Sequence, residues 1–454
     1  MGTRSALLVA AAVTLSLWPA TDAAAQQSTQ VRRPFRGIFG APPSPNSPHS
    51  LFLNASVYAA YDDNLVQGLT NQNFVTPWLQ KRGHYQGANA GLDYTFSKSG
   101  RRFDFGGHAG AQARYYHHRD RSRFLPSYQG DLMLSGRLTR SLSFAARQSA
   151  AYTSNYNGGI GRGFGQAAGH QIGLAEDPLL DLFEMRAVRL TSSVTLSQGL
   201  SRYSGVNVGY QYRDVHVFDN DVPGLLFDYG THSGTVGIFY NRPMTQNATL
   251  NLGYNLRASD RRSRAGEPEL LHNVNAGVDY GRALSFSRRT TLTFSTGTAI
   301  AMVESSATPE ADPRTEVRLI GNAALIHEIG RTWTAQLAYS RNFRTRDGVD
   351  GLFFTDAVNA SLVGLITRRL EFTAAANWAT SSINGRAAVD GRHRGQSASA
   401  RLQYALSSFA ALYAQYVYYQ YRFSSDVVID PRLARRLDRQ GVRVGLTTSI
   451  PLIR

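Results

Sequence analysis

Ten arginines recur within stretches whose alternate residues are apolar: Arg114, Arg137, Arg147, Arg189, Arg213, Arg257, Arg282, Arg318, Arg401 and Arg443. A guanidinium is planar and permanently charged. Its fork of N–H donors fits a carboxylate, phosphate or sulfate bidentately. Aligned on one face of a wall, such groups attract anions. Paired with Asp93, Asp104, Asp131 and Asp279, which fall in the same stretches, they would only brace that wall. Both uses remain open at this level.

Other groups with chemical potential are isolated. His117 and His118 adjoin Arg119 and Asp120, but no third ligand follows at a spacing that suits a metal. Catalysis needs a nucleophile, a base and an orienting group brought together, and no Ser, His and Asn/Asp set falls on neighbouring elements. The expectation is a protein that is not an enzyme and that uses no metal or cofactor. The glycine-rich run Asn157–Gly165 could cradle phosphate only between a strand and a helix N-terminus. Neither is evident, so it reads as part of a long surface loop. Asp62 and Asp63 have two readings, a divalent cation site or the cap of a turn, and capping is the commoner use of such residues.

The elements that carry the arginines are strands. From about residue 50 onward, stretches of roughly ten residues alternate apolar and polar, each closed by a turn. In 205–213, Val206, Val208, Tyr210 and Tyr212 oppose Asn207, Gly209, Gln211 and Arg213. In 249–257, Leu250, Leu252, Tyr254 and Leu256 oppose Asn251, Gly253, Asn255 and Arg257. A slip of one residue would exchange the faces, so the pattern fixes the register. About eighteen such strands predict an antiparallel transmembrane β-barrel, because only helices and closed barrels pair every backbone group within a bilayer. A barrel of that size encloses an aqueous lumen, and the ten arginines fall on its inner face.

Short connections, such as 139–141, 199–203, 367–369 and 407–408, alternate with long ones at 62–82, 118–127, 155–184, 258–268, 304–313, 384–393 and 424–438. Short turns belong to the periplasmic side and long loops to the outside. The hairpins show no shared motif of fixed period. A second arginine group, including Arg101, Arg102, Arg140, Arg202, Arg242, Arg331, Arg368 and Arg369, sits at the short turns. Interfacial arginines of this kind reach toward lipid headgroups.

Residues 1–25 read as a secretory signal peptide, with Arg4, an apolar run from Ala6 to Trp18 and the cleavage site Ala23–Ala25. Residues 26–49 form a Pro/Ser/Arg-rich periplasmic leader, and residues 50–454 form the barrel. The chain has no cysteine, which fits passage through an oxidising compartment without a disulfide staple. Its 23 tyrosines and 22 phenylalanines suit aromatic girdles at both membrane interfaces. The net charge of +16 would suit nucleic acid. The arginines are spread along the whole chain without any nucleic-acid-binding motif, so nucleic acid is not expected as a partner.

Tyr61-Asp62-Asp63-Asn64, at the end of the first strand, resembles the start of the outer-membrane β-barrel porins associated with exopolysaccharide biosynthesis and secretion. The size, the barrel-forming body and the closing strand with its Ile450-Pro451-Leu452 ending are also similar to that family. The ending Ile453-Arg454 departs from the terminal Phe or Trp of many outer-membrane barrels, and no periplasmic export domain is evident. The resemblance implies a pore that translocates an acidic polysaccharide together with a periplasmic polysaccharide-export protein. Two alternatives stand beside it: a general or anion-selective diffusion porin for small anions, and a structural or adhesive barrel. All three place the chain in the outer membrane, in contact with lipid and lipopolysaccharide.

Overall fold

The computed structural model describes residues 49–63, 83–97, 102–117, 122–153, 186–218, 229–245, 248–261, 269–284, 287–303, 314–346, 349–385, 388–425 and 435–453. The signal peptide and leader lie outside the described residues. Eighteen strands form one antiparallel sheet in which each strand pairs with its neighbour in sequence. The first strand, β1 (His49–Asp62), pairs with both β2 (Gly83–Ser97) and β18 (Arg436–Ile453), so the sheet closes. Between them run β3 (Phe103–His117), β4 (Ser122–Arg137), β5 (Leu142–Thr153), β6 (Ala187–Gly199), β7 (Ser204–Val217) and β8 (Tyr229–Pro243). The ring continues through β9 (Ala248–Arg261), β10 (Glu269–Leu284), β11 (Ser287–Val303), β12 (Arg314–Ile329) and β13 (Trp333–Arg346). It is completed by β14 (Val349–Leu365), β15 (Leu370–Gly385), β16 (Ala388–Ala405) and β17 (Ala410–Phe423).

Closure removes every open sheet edge. Following the register once around the ring returns to β1 about 24–26 residues displaced, which corresponds to a strand tilt of roughly 45°. The outward face carries the large exposed apolar side chains, among them Val57, Phe124, Leu132, Val236, Ile238, Leu319, Leu412 and Val444. The alternate, inward positions of the same strands carry polar and small residues together with a set of buried aromatics. This inversion of the ordinary soluble pattern defines a bilayer-spanning wall, and the barrel belongs to the outer membrane.

Several strands run further than alternation suggested. β16 starts at Ala388 inside the expected 384–393 loop, β4 starts at Ser122, and β18 starts at Arg436. Beyond the apolar band both faces meet polar surroundings, so the backbone ladder continues where the side-chain pattern has faded. The gaps between β13 and β14 and between β15 and β16 are two residues each, 347–348 and 386–387.

Five of the short turns share a local motif, without a fixed period. At 138–142, 200–204, 244–248, 366–370 and 406–410 an apolar residue precedes Thr or Ser: Leu138-Thr139, Leu200-Ser201, Met244-Thr245, Ile366-Thr367 and Leu406-Ser407. In each, the hydroxyl oxygen accepts from the backbone N–H three residues on, as Ser201 Oγ does from Ser204 N at 3.0 Å and Thr367 Oγ1 from Leu370 N at 3.1 Å. The apolar member is exposed on the outward face and forms a collar at the periplasmic interface. This is the side-chain-to-backbone closure that Ser and Thr favour in turns.

Turn length sets the orientation. A cysteine at Ser425, on the β17–β18 rim, is expected to react with a membrane-impermeant maleimide on intact cells, whereas one at Ser141 or Ser408 stays unlabelled until the cells are lysed. Labelling in the opposite sense would invert the barrel. The native chain supplies no background thiol.

Candidate functional site: the arginine-lined lumen

Register assigns Arg114, Arg137, Arg147, Arg189, Arg213, Arg318, Arg401 and Arg443 to the inward-facing set of their strands. Position 257 also falls in that set, opposite Thr235. Position 282 pairs with Leu292, beyond an irregularity in the β10–β11 register, and its side chain lies outside those described.

One arginine of the series is paired with a carboxylate of the wall. Arg147 donates from Nη2 and Nε to Asp131 Oδ1 at 2.7 and 3.0 Å across β4 and β5. Asp93 is occupied otherwise, accepting from Asn54 Nδ2 and His108 Nδ1, both at 2.5 Å. Arg401 and Arg443 stand in one cross-strand row, flanking Gln415. Each is held against an aromatic face: Arg401 Cζ lies 4.0 Å from the centre of the Tyr413 ring and Arg443 Cζ lies 5.4 Å from that of Tyr58. A stacked guanidinium keeps its charge, so these contacts fix the position of positive charge in the lumen.

The rings form a buried cluster of Tyr58, Tyr85 and Tyr413 with Ala60 and Leu125. Tyr58 and Tyr85 meet edge to face with centroids 6.2 Å apart. Gly87 makes this packing fit, since a Cβ there would collide with the Tyr58 ring. Tyr419, Tyr421 and Phe423 extend the same inward face of β17. Their burial and their aromatic character were not read as a feature, and the run Tyr413, Tyr419, Tyr421 and Phe423 at even spacings was the signal that could have shown it.

The lumen is further shaped by a displacement in the ring. The β12–β13 ladder ends at Gly321 and Arg341, while β11–β12 continues to Val303 and Arg314, and β13–β14 to Arg346 and Val349. Above that point Phe343 and Phe354, on the outward face of β13 and β14, pack against Ala299 and Ile320 on the inward face of β11 and β12. The Phe354 ring lies between Arg341 and Arg318, with Cζ atoms 4.9 and 5.3 Å from its centre. The extracellular part of the β13–β14 hairpin therefore sits inside the β11–β12 wall and narrows the channel.

The Tyr61–Asn64 motif closes the ring. Asp62 Oδ2 accepts from Arg439 Nε at 2.6 Å and Nη2 at 2.5 Å, and both side chains are 6% exposed. Asp63 donates its N–H to the Gln440 carbonyl at 3.1 Å and accepts from Gln440 N–H through Oδ1 at 2.9 Å. The pair thus locks β1 to β18. Asp63 bonds backbone across the seam, a role neither earlier reading named. Asn64, the His118–Asp120 run and the glycine-rich 157–165 segment lie outside the described residues. Among the described residues, no three His, Cys, Asp or Glu side chains converge as a metal site would require.

The chain is a closed, lipid-facing eighteen-stranded β-barrel of the outer membrane. No family model and no curated protein sequence matches the chain. Among solved structures it is similar to OpdQ of Pseudomonas aeruginosa, at 9% identity and a TM-score of 0.42, covering 89% of this chain and 98% of that one. It is also similar to the FrpB iron transporter of Neisseria meningitidis, at 8% identity and a TM-score of 0.44, over 89% and 82% of the two chains. OprD of P. aeruginosa gives 11% identity and a TM-score of 0.40, over 89% and 96%.

Proposed function

We propose that the protein is a diffusion pore for small anionic solutes. The observation that carries this reading is the inward-facing arginine series, spread over β3 to β7, β12, β16 and β18. Distributed, moderate attraction lets a solute enter and leave again, where one tight site would hold it. The roles are binding and transport, with no group assigned to catalysis. The expected result in a planar bilayer with a potassium chloride gradient is a reversal potential of the sign for chloride preference. Cation preference in the assembled wild-type pore would overturn the reading.

Export of an acidic polysaccharide with a periplasmic export protein is the second reading, favoured by the resemblance at Tyr61–Asn64. Two residues of that motif, Asp62 and Asp63, are used in the seam and supply no group to the transported species. Loss of surface polysaccharide on deletion of the protein, with synthesis intact, would establish export in place of small-anion diffusion.

A further inference from the structure

The outward face of β16, β17 and β18 changes character with height. Its lower rows are apolar, from Tyr404, Leu412 and Leu446 up to Tyr416 and Val442, with Tyr418 above. Next comes a row of hydrogen-bonded polar groups: Gln396 donates to Gln420, and Gln420 Nε2 donates to Asp438 Oδ2 at 3.2 Å. Above that row, Arg394, Arg422 and Arg436 stand directly opposite one another on three adjacent strands. All three are exposed on the outside of the barrel. Arg436 Nη2 reaches Asp438 at 3.4 Å. On this face Asp438, and by strand parity position 390, stand against Arg392, Arg394, Arg422 and Arg436.

Like charges directly opposite on neighbouring strands repel, so an anion bound across the row would relieve that repulsion. Its depth says which kind. Four residues separate Tyr418 from Arg422, or about 9 Å of height at ~3.3 Å per residue and roughly 45° of tilt. That places the guanidiniums one headgroup layer above the aromatic girdle, on the extracellular side. Below the intervening Gln396, Gln420 and Asp438 row lies an apolar surface suited to acyl chains, which a free ion would not use. We propose that Arg394, Arg422 and Arg436 form a site for the phosphates of a phosphorylated glycolipid of the outer leaflet, of the lipopolysaccharide kind. Bidentate pairing to phosphate oxygens suits arginine in this position better than lysine, and it is independent of what passes through the lumen.

The test uses the full-length protein in detergent, titrated with bis-phosphorylated lipid A and followed by native mass spectrometry. The Arg394→Gln/Arg422→Gln/Arg436→Gln variant is expected to bind this lipid about tenfold more weakly, a loss of the size charge-assisted hydrogen bonds produce. Its single-channel conductance should be unchanged, because the row faces away from the lumen. Lipid A stripped of its phosphates should bind the wild type no better than intact lipid A binds the variant. Equal binding by wild type and variant, or by the stripped lipid, would overturn the site. Displacement of lipid A by millimolar inorganic phosphate would show a free-anion site and overturn the lipid assignment. If the triple variant does not assemble, Arg422→Gln alone, at the centre of the row, is expected to weaken binding about threefold, and full wild-type binding by it would count against the proposal.

Discussion

Replacing Arg147, Arg189, Arg213 and Arg401 together by glutamate is expected to convert the pore from chloride to potassium preference. All four lie on the inward face, on β5, β6, β7 and β16. The exchange moves the lumen charge by about eight units, and charge on a low-dielectric wall sets potentials of several kT. The permeability ratio should change by about tenfold or more, close to 1.4 kcal/mol at the level of the ion. The same four positions changed to glutamine should fall between the two extremes and remove selectivity without inverting it. Arg147 needs this control most, because glutamate there would face Asp131 directly, and repulsion could alter the local wall. Both variants must keep the fast-migrating, heat-sensitive form of a folded barrel on gels. A reversal potential that stays at the wild-type value in an assembled glutamate variant would rule out the arginines as the source of selectivity.

Asp62→Ala is expected to destabilise the closed barrel by about 3–5 kcal/mol, the usual cost of leaving one member of a buried ion pair alone. Arg439 would remain 6% exposed with its carboxylate partner removed. In a urea titration of the folded form the midpoint should fall sharply, and Arg439→Ala should do the same by stranding the carboxylate. The Asp62→Leu/Arg439→Leu double variant should recover most of the loss, since an apolar pair of similar volume carries no desolvation penalty. Asp63→Ala, which removes only one hydrogen bond to the Gln440 N–H, should cost about 1 kcal/mol. An unshifted midpoint for Asp62→Ala would mean that the backbone ladder alone secures the seam.

Strand number, direction and face were legible because lipid on one side and water on the other impose a period of two that a single register satisfies. Val206–Arg213 and Leu250–Arg257 show this directly, with apolar and polar residues never exchanging parity. The same rule of parity underlies the expectation that arginines such as Arg213 and Arg443 share the inward face of their strands. Strand ends were not legible where the chain leaves the membrane. At Ala388–His393 and Ser122–Pro126 hydrogen bonding continues without a hydrophobic difference to mark it. The Asp62–Arg439 contact and the placement of Phe343 and Phe354 inside β11–β12 join residues distant in sequence, and no local pattern encodes such juxtapositions. The turn motif was local and could have been found by aligning the short turns on their Thr or Ser.

The seam joins side chains 377 positions apart in the chain. During synthesis and delivery, β1 can meet β2 early, but its other edge has no partner until β18, the last strand, arrives. Every intermediate is therefore an open sheet with two unpaired edges, each a template for wrong pairing and each intolerable in the bilayer interior. Loop-closure cost falls almost entirely on this final contact, which makes ring closure the slow, committing event of assembly. A charged pair at that joint gives the two terminal strands a mutual address.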